Sequence, residues 1–304
     1  VVQVTDEVDL LKVNELRADT TGDITVDEIK DSKENLSTVN AFVAEQGVNG
    51  DVILSNTDIT VTNVVNKEEA DIINGYNDVS GTVTLTSVTD LLENVNALSS
   101  TAGISIATSD LKVTDVTTLS DATDLDGYTT GEVTLDIVTD SFLNVQSIHG
   151  LTPTEENPDG VDLTAATITI TDPVSLIQAN TANGFSGGLI TLNSVVDSFD
   201  NLIAIDAIPS DQLTMADAAW KVTDSVGINK DNNLRNITSG DITVDILKGS
   251  KQNIDQIERY EAGNDIGDVI LTNTKITVTN AVSKTEADEI INYTNSQVTL
   301  EKVK

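Results

Sequence analysis

Cysteine is absent, and histidine, methionine and tryptophan occur once each. Without thiols there are no disulfides, no thiol catalysis and no cysteine-held metal. Aromatic residues make up 3% of the chain, and there are four prolines. A core of ordinary size draws on Phe, Tyr, Trp and Met, so burial here has to rest on Val, Ile, Leu and Ala. Basic residues are scarce too: 16 Lys+Arg stand against 50 Asp+Glu, a net charge of −34 at pH 7. That balance excludes ordinary nucleic-acid binding, which needs cations to neutralise phosphates. It also argues against docking on an anionic membrane surface. No apolar run is long enough to insert in a bilayer. The chain opens in mid-pattern, Val1-Val2-Gln3-Val4, without Met, as expected of a fragment or processed piece of a longer protein.

What the sequence does have is repetition, at three scales. Residues 51–77 and 268–294 are identical at 18 of 27 positions, a period of about 218 residues. The expected organisation is one continuous solenoid over 1–304, with a super-repeat at 1–218 and the start of the next at 219–304. Inside it, units near 22–80, 81–130, 131–187, 188–239 and 240–295 recur every 50 to 59 residues. Each unit holds two alternating coil types.

The A-type coil is anchored at Ile24, Val83, Val133, Ile190 and Ile242, with a sixth copy opening at Val298. Gly22, Gly81, Gly131, Gly188 and Gly240 precede the first five anchors and are read as turn glycines. Thr follows each anchor. Seven residues on stands Asp31, Asp90, Asp140 or Asp197, with Gly249 in the fifth copy, and the Asp is read as a helix N-cap. Eleven residues on stands Asn35, Asn94, Asn144, Asn201 or Asn253. These Asn are read as a structural amide ladder that satisfies backbone groups of adjacent coils; a ligand-binding row is the competing reading. Alternation of period two and then spacings of three and four predict a strand, a cap and a helix.

The B-type coil is anchored at Ile59, Leu111, Ile168, Trp220 and Ile276. An apolar pair precedes each anchor, and Val/Ile-Thr-Asp/Asn follows it, as in Val113-Thr114-Asp115. This predicts two short strands meeting at a corner, then a helix with Ala70, Ala122, Ala179 or Ala287 at closest approach. Tyr76, Tyr128, Phe185 and Tyr293 are read as a stacked core row rather than a carbohydrate platform. B-to-A anchor spacing is 22 to 24 residues and A-to-B spacing is 28 to 35, so insertions fall on one edge. The fold class that follows is α/β: a repetitive strand–helix solenoid of stacked parallel strands, in which each coil hides its apolar side against its neighbours.

Chemical motifs are weak. Gly184-Phe185-Ser186-Gly187-Gly188 matches G-x-S-x-G in letters, but a helix is expected before it and a strand after it, the reverse of a nucleophile elbow. His149 has no repeated partner. No catalytic residue is assigned and no enzyme is expected; the irregular stretch from His149 to Asp162 is the one place an active site would break the repeat. Calcium is the one cofactor the composition suggests. Asp124, Asp126, Asp159 and Asp162 place carboxylates in expected turns, without a complete EF-hand, and a solvated acidic loop is the alternative. Outward Thr-x-Thr positions (Thr60/Thr62, Thr82/Thr84/Thr86, Thr167/Thr169/Thr171, Thr277/Thr279) form an array that could match ice or pack laterally, interrupted by Lys112 and Lys221.

The strings Val-Thr-Asp and Val-Thr-Asn, each followed by a helix with Ala or Asn at its middle, resemble repeats of very large secreted and surface-layer-like proteins of marine bacteria and cyanobacteria. The coils also look loosely like leucine-rich repeats, but the L-x-x-L-x-L-x-x-N block is missing and the Asn lies in the helical segment. The resemblance implies an extracellular or cell-surface structural role: an acidic scaffold or assembly segment of a surface, matrix or filament protein. Its partners would be itself or neighbouring repeats, as a homopolymer or lattice. An adhesin stalk or module recognising glycan or protein through its variable loops is the alternative.

Overall fold

The computed structural model describes residues 1–38, 52–54, 56–77, 80–151, 160–209, 211–215, 217–258 and 268–304. The chain divides into two compact units, residues 1–137 with 147–163 and residues 138–146 with 164–304. The first holds β1 (Val2–Val4), α1 (Leu10–Asp19), β2 (Ile24–Val26), β3 (Glu28–Asp31), α2 (Lys33–Leu36), β4 (Val52–Ile53), β5 (Asp58–Val65), α3 (Lys67–Asn74), β6 (Val83–Asp90), α4 (Leu92–Ser99), β7 (Ile104–Ser105), β8 (Asp110–Thr117) and α5 (Leu119–Tyr128). Strand β9 (Val133–Asp140) and helix α6 (Phe142–His149) are divided between the units, and β10 (Val161–Asp162) closes the first. The second continues with β11 (Thr167–Ile170), α7 (Leu176–Ala182), β12 (Ile190–Leu192), β13 (Ser194–Asp197), α8 (Phe199–Asp206), β14 (Leu213–Thr214), β15 (Ala219–Val226) and α9 (Ile228–Arg235). It ends with β16 (Ile242–Gly249), α10 (Lys251–Glu258), β17 (Val269–Ile270), β18 (Lys275–Val282), α11 (Lys284–Ile291) and β19 (Val298–Val303).

The architecture is α/β, with parallel strands in stacked sheets alternating with short helices. In the first unit β1–β2–β4 form one ladder, β5 pairs β3 and β6, and β6 goes on to β7 and β8. In the second, β12 lies between β11 and β14, and β13, β15, β16, β18 and β19 follow in order. The A and B anchors face one another in register: Ile59 beside Val83, Ile168 beside Ile190, Trp220 beside Ile242, Ile276 beside Val298.

The eight-residue strands explain the coupling of one coil to the next. The first half of β6 pairs back to β5 through Val83 and Leu85 and forward to the short β7, whereas its second half pairs forward to β8, with Val88 beside Leu111. The register shifts once in the pairs β5–β6, β15–β16 and β18–β19, at Val61/Val64, Val222/Ser225 and Val278/Ala281. Two B residues there oppose one A residue, so the Val-Thr-Asp/Asn string of each of these B strands is a β-bulge. Opposite the bulge the A strand breaks its alternation, and Val83, Leu85 and Val88 are all fully buried. Each such side chain contributes about 1.5–3 kcal/mol of burial, and each is covered by residues of another coil.

The recurring glycines turn out to have a different cause from the one expected. None of Gly81, Gly131, Gly188 or Gly240 has positive φ. A Cβ at these positions would collide with the carbonyl oxygen of Thr57, Ser109, Ala166 or Ala218, at the corner of the preceding B coil. Close backbone approach, not turn conformation, requires glycine. The corner is fastened from the same side: the hydroxyls of Thr129, Ser186 and Thr238 donate to the carbonyls of Ser109, Ala166 and Ala218 at 2.6, 2.7 and 2.8 Å. Each hydroxyl also accepts the N–H of the glycine two residues on, at 2.8 to 2.9 Å.

Candidate functional site: capping bonds between coils

The first N–H groups of a helix have no partner inside it. Here the first helical N–H is repeatedly taken by an Asp or Asn of a later coil. In the first unit, Leu10 of α1 donates to Asp31 Oδ2 (2.9 Å), Lys33 of α2 to Asn63 Oδ1 (2.8 Å), Lys67 of α3 to Asp90 Oδ2 (2.7 Å), and Leu92 of α4 to Asp115 Oδ1 (2.7 Å). In the second, Phe142 of α6 donates to Asp172 (2.6 Å), Leu176 of α7 to Asp197 (3.0 Å), Phe199 of α8 to Asp224 (2.7 Å) and Lys251 of α10 to Asn280 (2.8 Å). Of these acceptors, Asn63, Asp224 and Asn280 sit in the bulges of their B strands, which turn the side chain toward the earlier helix.

The A-type Asp is therefore not the cap of its own helix. It ends its strand one residue before the N-cap, which is Ser32 for Asp31 and Ser198 for Asp197. The Asn four residues later holds it: Asn35, Asn94, Asn144 and Asn201 donate Nδ2 to Asp31, Asp90, Asp140 and Asp197 Oδ1 at 2.7 to 2.8 Å. The amides thus reach a carboxylate of their own coil, not the backbone of a neighbouring one as expected; it is the carboxylate that crosses. For Asp90, desolvation raises the pKa, but the Asn94 amide and the N–H groups of Lys67 and Leu91 outweigh it and hold the carboxyl below its ordinary value. Asp197 is held low in the same way, against desolvation, by the N–H of Leu176, the amide of Asn201 and the N–H of Ser198. Asn253 has Gly249 at the position of the Asp and so finds no carboxylate there, and the matching helix, α9, has Gly227 as its N-cap with no side-chain cap bond.

The other expected site residues are scattered. Asp124 and Asp126 lie on helix α5, not in a turn, on either side of buried Leu125. Residues two apart on a helix do not face one another, so these two do not converge. Asp162 is on β10 beside Thr134, and Asp159 lies outside the described residues. Among the described residues no three carboxylates or imidazoles gather around a common point. His149 is the last residue of α6, and most of the irregular stretch after it lies outside the described residues. Ser186 has its hydroxyl engaged at the backbone corner, with α7 before it and β12 after it. Lys112 and Lys221, which interrupt the Thr rows, pair with Asp136 (3.0 Å) and Asp245 (3.3 Å) of the next strand. Of the aromatic row, Phe185 is buried, with its ring 5.9 Å from that of Phe142, while Tyr76, Tyr128 and Tyr293 are half-buried.

One feature of the helical layer was missed in the sequence. Lys251 of α10, 13% exposed, bonds Asp255 at 2.6 Å and Glu289 of α11 at 2.9 Å, and Tyr293 donates to Asp255 at 3.0 Å. Desolvation would lower the Lys251 pKa, but the two carboxylates outweigh it and raise it. In the first unit Lys33 bonds Glu69 at 2.9 Å, and Ser37 replaces the Asp four residues on. A groove there is lined by Lys33, Ser37, Glu69, Ile72 and Tyr76. The recurrence of lysine at Lys33 and Lys251 was visible in the sequence. Its partner on the next helix was not, because Glu69 and Glu289 stand at different positions of the repeat: Glu69 aligns with Glu286.

These geometries define a strand–helix repeat whose conspicuous polar chemistry lies between coils. No protein-family model, curated protein or solved structure matches the chain.

Proposed function

We propose that this chain is a structural repeat segment of a large extracellular bacterial surface, matrix or filament protein, where it serves as an acidic scaffold and assembly module. The observation that carries the reading is the capping of one coil's helix by a side chain of a later coil. The repeated Asp and Asn side chains are engaged in joining coils. A net charge of −34 keeps such a scaffold soluble. Two experiments test it. Pulled from its ends in an optical trap, the chain should give way in many small steps and re-form on relaxation; irreversible rupture in one or two events would sink the scaffold role. An antibody to the chain should label unpermeabilised source cells or their matrix, and label confined to the cell interior would overturn the localisation.

A further inference from the structure

The A strand that ends at Gly249 keeps a carboxylate cradle without the carboxylate. In the coils of Asp31, Asp90 and Asp197 the same donors converge on the Asp. Its Oδ1 accepts from the Asn amide four residues on and from the next backbone N–H, that of Ser32, Leu91 or Ser198, at 2.7 to 2.8 Å. Its Oδ2 accepts from the first N–H of an earlier helix, at Leu10, Lys67 or Leu176, at 2.7 to 3.0 Å. In the fifth copy the equivalent donors are Asn253, Ser250 and Ile228, but Gly249 has no side chain to reach them. Among the described residues neither the Asn253 side-chain amide nor the Ile228 N–H finds an acceptor, and α9, eight residues long, has no side-chain cap bond. The room is there: a Cβ at Gly249 would meet only Asn253 Cβ at 3.5 Å and Ile254 Cγ1 at 3.9 Å. The spot lies in a depression of about 390 Å³ lined by Ser225, Gly227, Ile228, Lys230, Lys248 and Asn253. None of its lining residues is acidic, in a chain of net charge −34, and two are lysines. The nearest carboxylates stand off from these lysines, Asp224 at 3.5 Å from Lys230 and Glu301 at 3.7 Å from Lys248, so each ammonium keeps donors to spare.

We propose that this depression binds a small free carboxylate of the acetate type. Acetate is the Asp side chain cut from its backbone. One of its oxygens takes the Asn253 amide and the Ser250 N–H, and the other takes the Ile228 N–H, the arrangement that the Asp carboxylate has in the other coils. Those bonds are charge-assisted, and the positive end of α9 adds to them. Lys230 and Lys248 supply the attraction that stands in for the missing covalent tether. The second support, apart from the helix end, is internal to the chain: the same set of donors holds a carboxylate at Asp31, Asp90 and Asp197. The site does not depend on the scaffold role proposed above.

Titration of the isotope-labelled chain with sodium acetate, followed by NMR against sodium chloride at equal ionic strength, tests it. The backbone amide signals of Ile228 and Ser250 and the side-chain amide of Asn253 should shift and saturate, with the millimolar Kd expected of so small a ligand. Acetamide, of the same shape but uncharged, should leave them in place. Gly249→Asp supplies a tethered carboxylate, so acetate should no longer move Ile228 or Asn253 in it, and Asn253→Ala should weaken binding several-fold. The emission of Trp220, whose side chain is 1% exposed, reports that each variant is folded; if Gly249→Asp does not fold, acetamide and Asn253→Ala decide. Signals that acetate leaves unmoved or moves without saturating, that acetamide moves as far, or that still respond in full in folded Gly249→Asp would overturn the proposal.

Discussion

The residue that does most in this chain is the aspartate that ends an A strand. In Asp31, Asp90 and Asp197 one oxygen is held by the Asn of the same coil's helix, and the other caps another coil's helix. Asp90→Ala should cost about 1–3 kcal/mol, the range for a hydrogen-bonded charge left without its partner groups, and Asn94→Ala less, because the carboxylate keeps its bond to Lys67. Urea unfolding at neutral pH measures both. Folding lowers the carboxyl pKa of Asp90 and Asp197, so their stabilisation is present above the unfolded value of about 3.9 and is lost as pH falls through the folded value. Wild type should therefore lose more stability between pH 7 and pH 3 than Asp90→Asn does; equal losses would refute the assignment. Gly249→Asp supplies the missing member of the set at a site where an added Cβ meets only ordinary contacts. It should raise stability by about 1 kcal/mol, and the gain should shrink in an Asn253→Ala background.

At the scale of elements, the corner between a B strand and the next A strand decides whether a coil can close on its predecessor. Gly131→Ala should destabilise by more than about 2 kcal/mol, because backbone oxygen, not a flexible side chain, occupies the space. Gly127→Ala, in helix α5 with nothing within 4 Å of its Cβ, should instead stabilise by about 0.5–1 kcal/mol. The B coil anchored at Ile59 has Asn77 where the others have Thr or Ser, and its buried amide has no hydrogen-bond partner among the described residues. Asn77→Thr can place a hydroxyl against the Thr57 carbonyl, so thermal melting should show a gain of about 1 kcal/mol or more. The order strand then helix was legible from spacing alone, but the cap was not. The bulge was not, because Val-Thr-Asn reads as the end of a strand until the neighbouring strand shows two residues opposite one.

For the molecule as a whole, acidity governs the energetics outside the core. Fifty carboxylates against sixteen basic groups repel one another in the compact state more than in the open chain. Raising sodium chloride should therefore raise the melting temperature by screening. Calcium at equal ionic strength should do no more for the wild type than for Asp124→Asn or Asp126→Asn, since these carboxylates point to different sides of α5. A larger calcium response, lost in either variant, would restore them as ligands.

Strand–helix alternation, two coil types and a parallel arrangement were determined by the sequence alone, because hydrophobic period and repeat length are local and a short coil cannot bury its own apolar face. Which atoms join the coils was decided only by tertiary structure. Asp31 and Ser32 are both good caps by residue type, and only the position of helix α1 beside β3 shows that Asp31 belongs to the earlier helix. In the same way, only the Ser109 carbonyl beneath Gly131 shows that the glycine is required by space and not by φ. Partners some twenty to thirty residues apart in the chain leave a repeated letter in the sequence, but not the direction in which its side chain reaches.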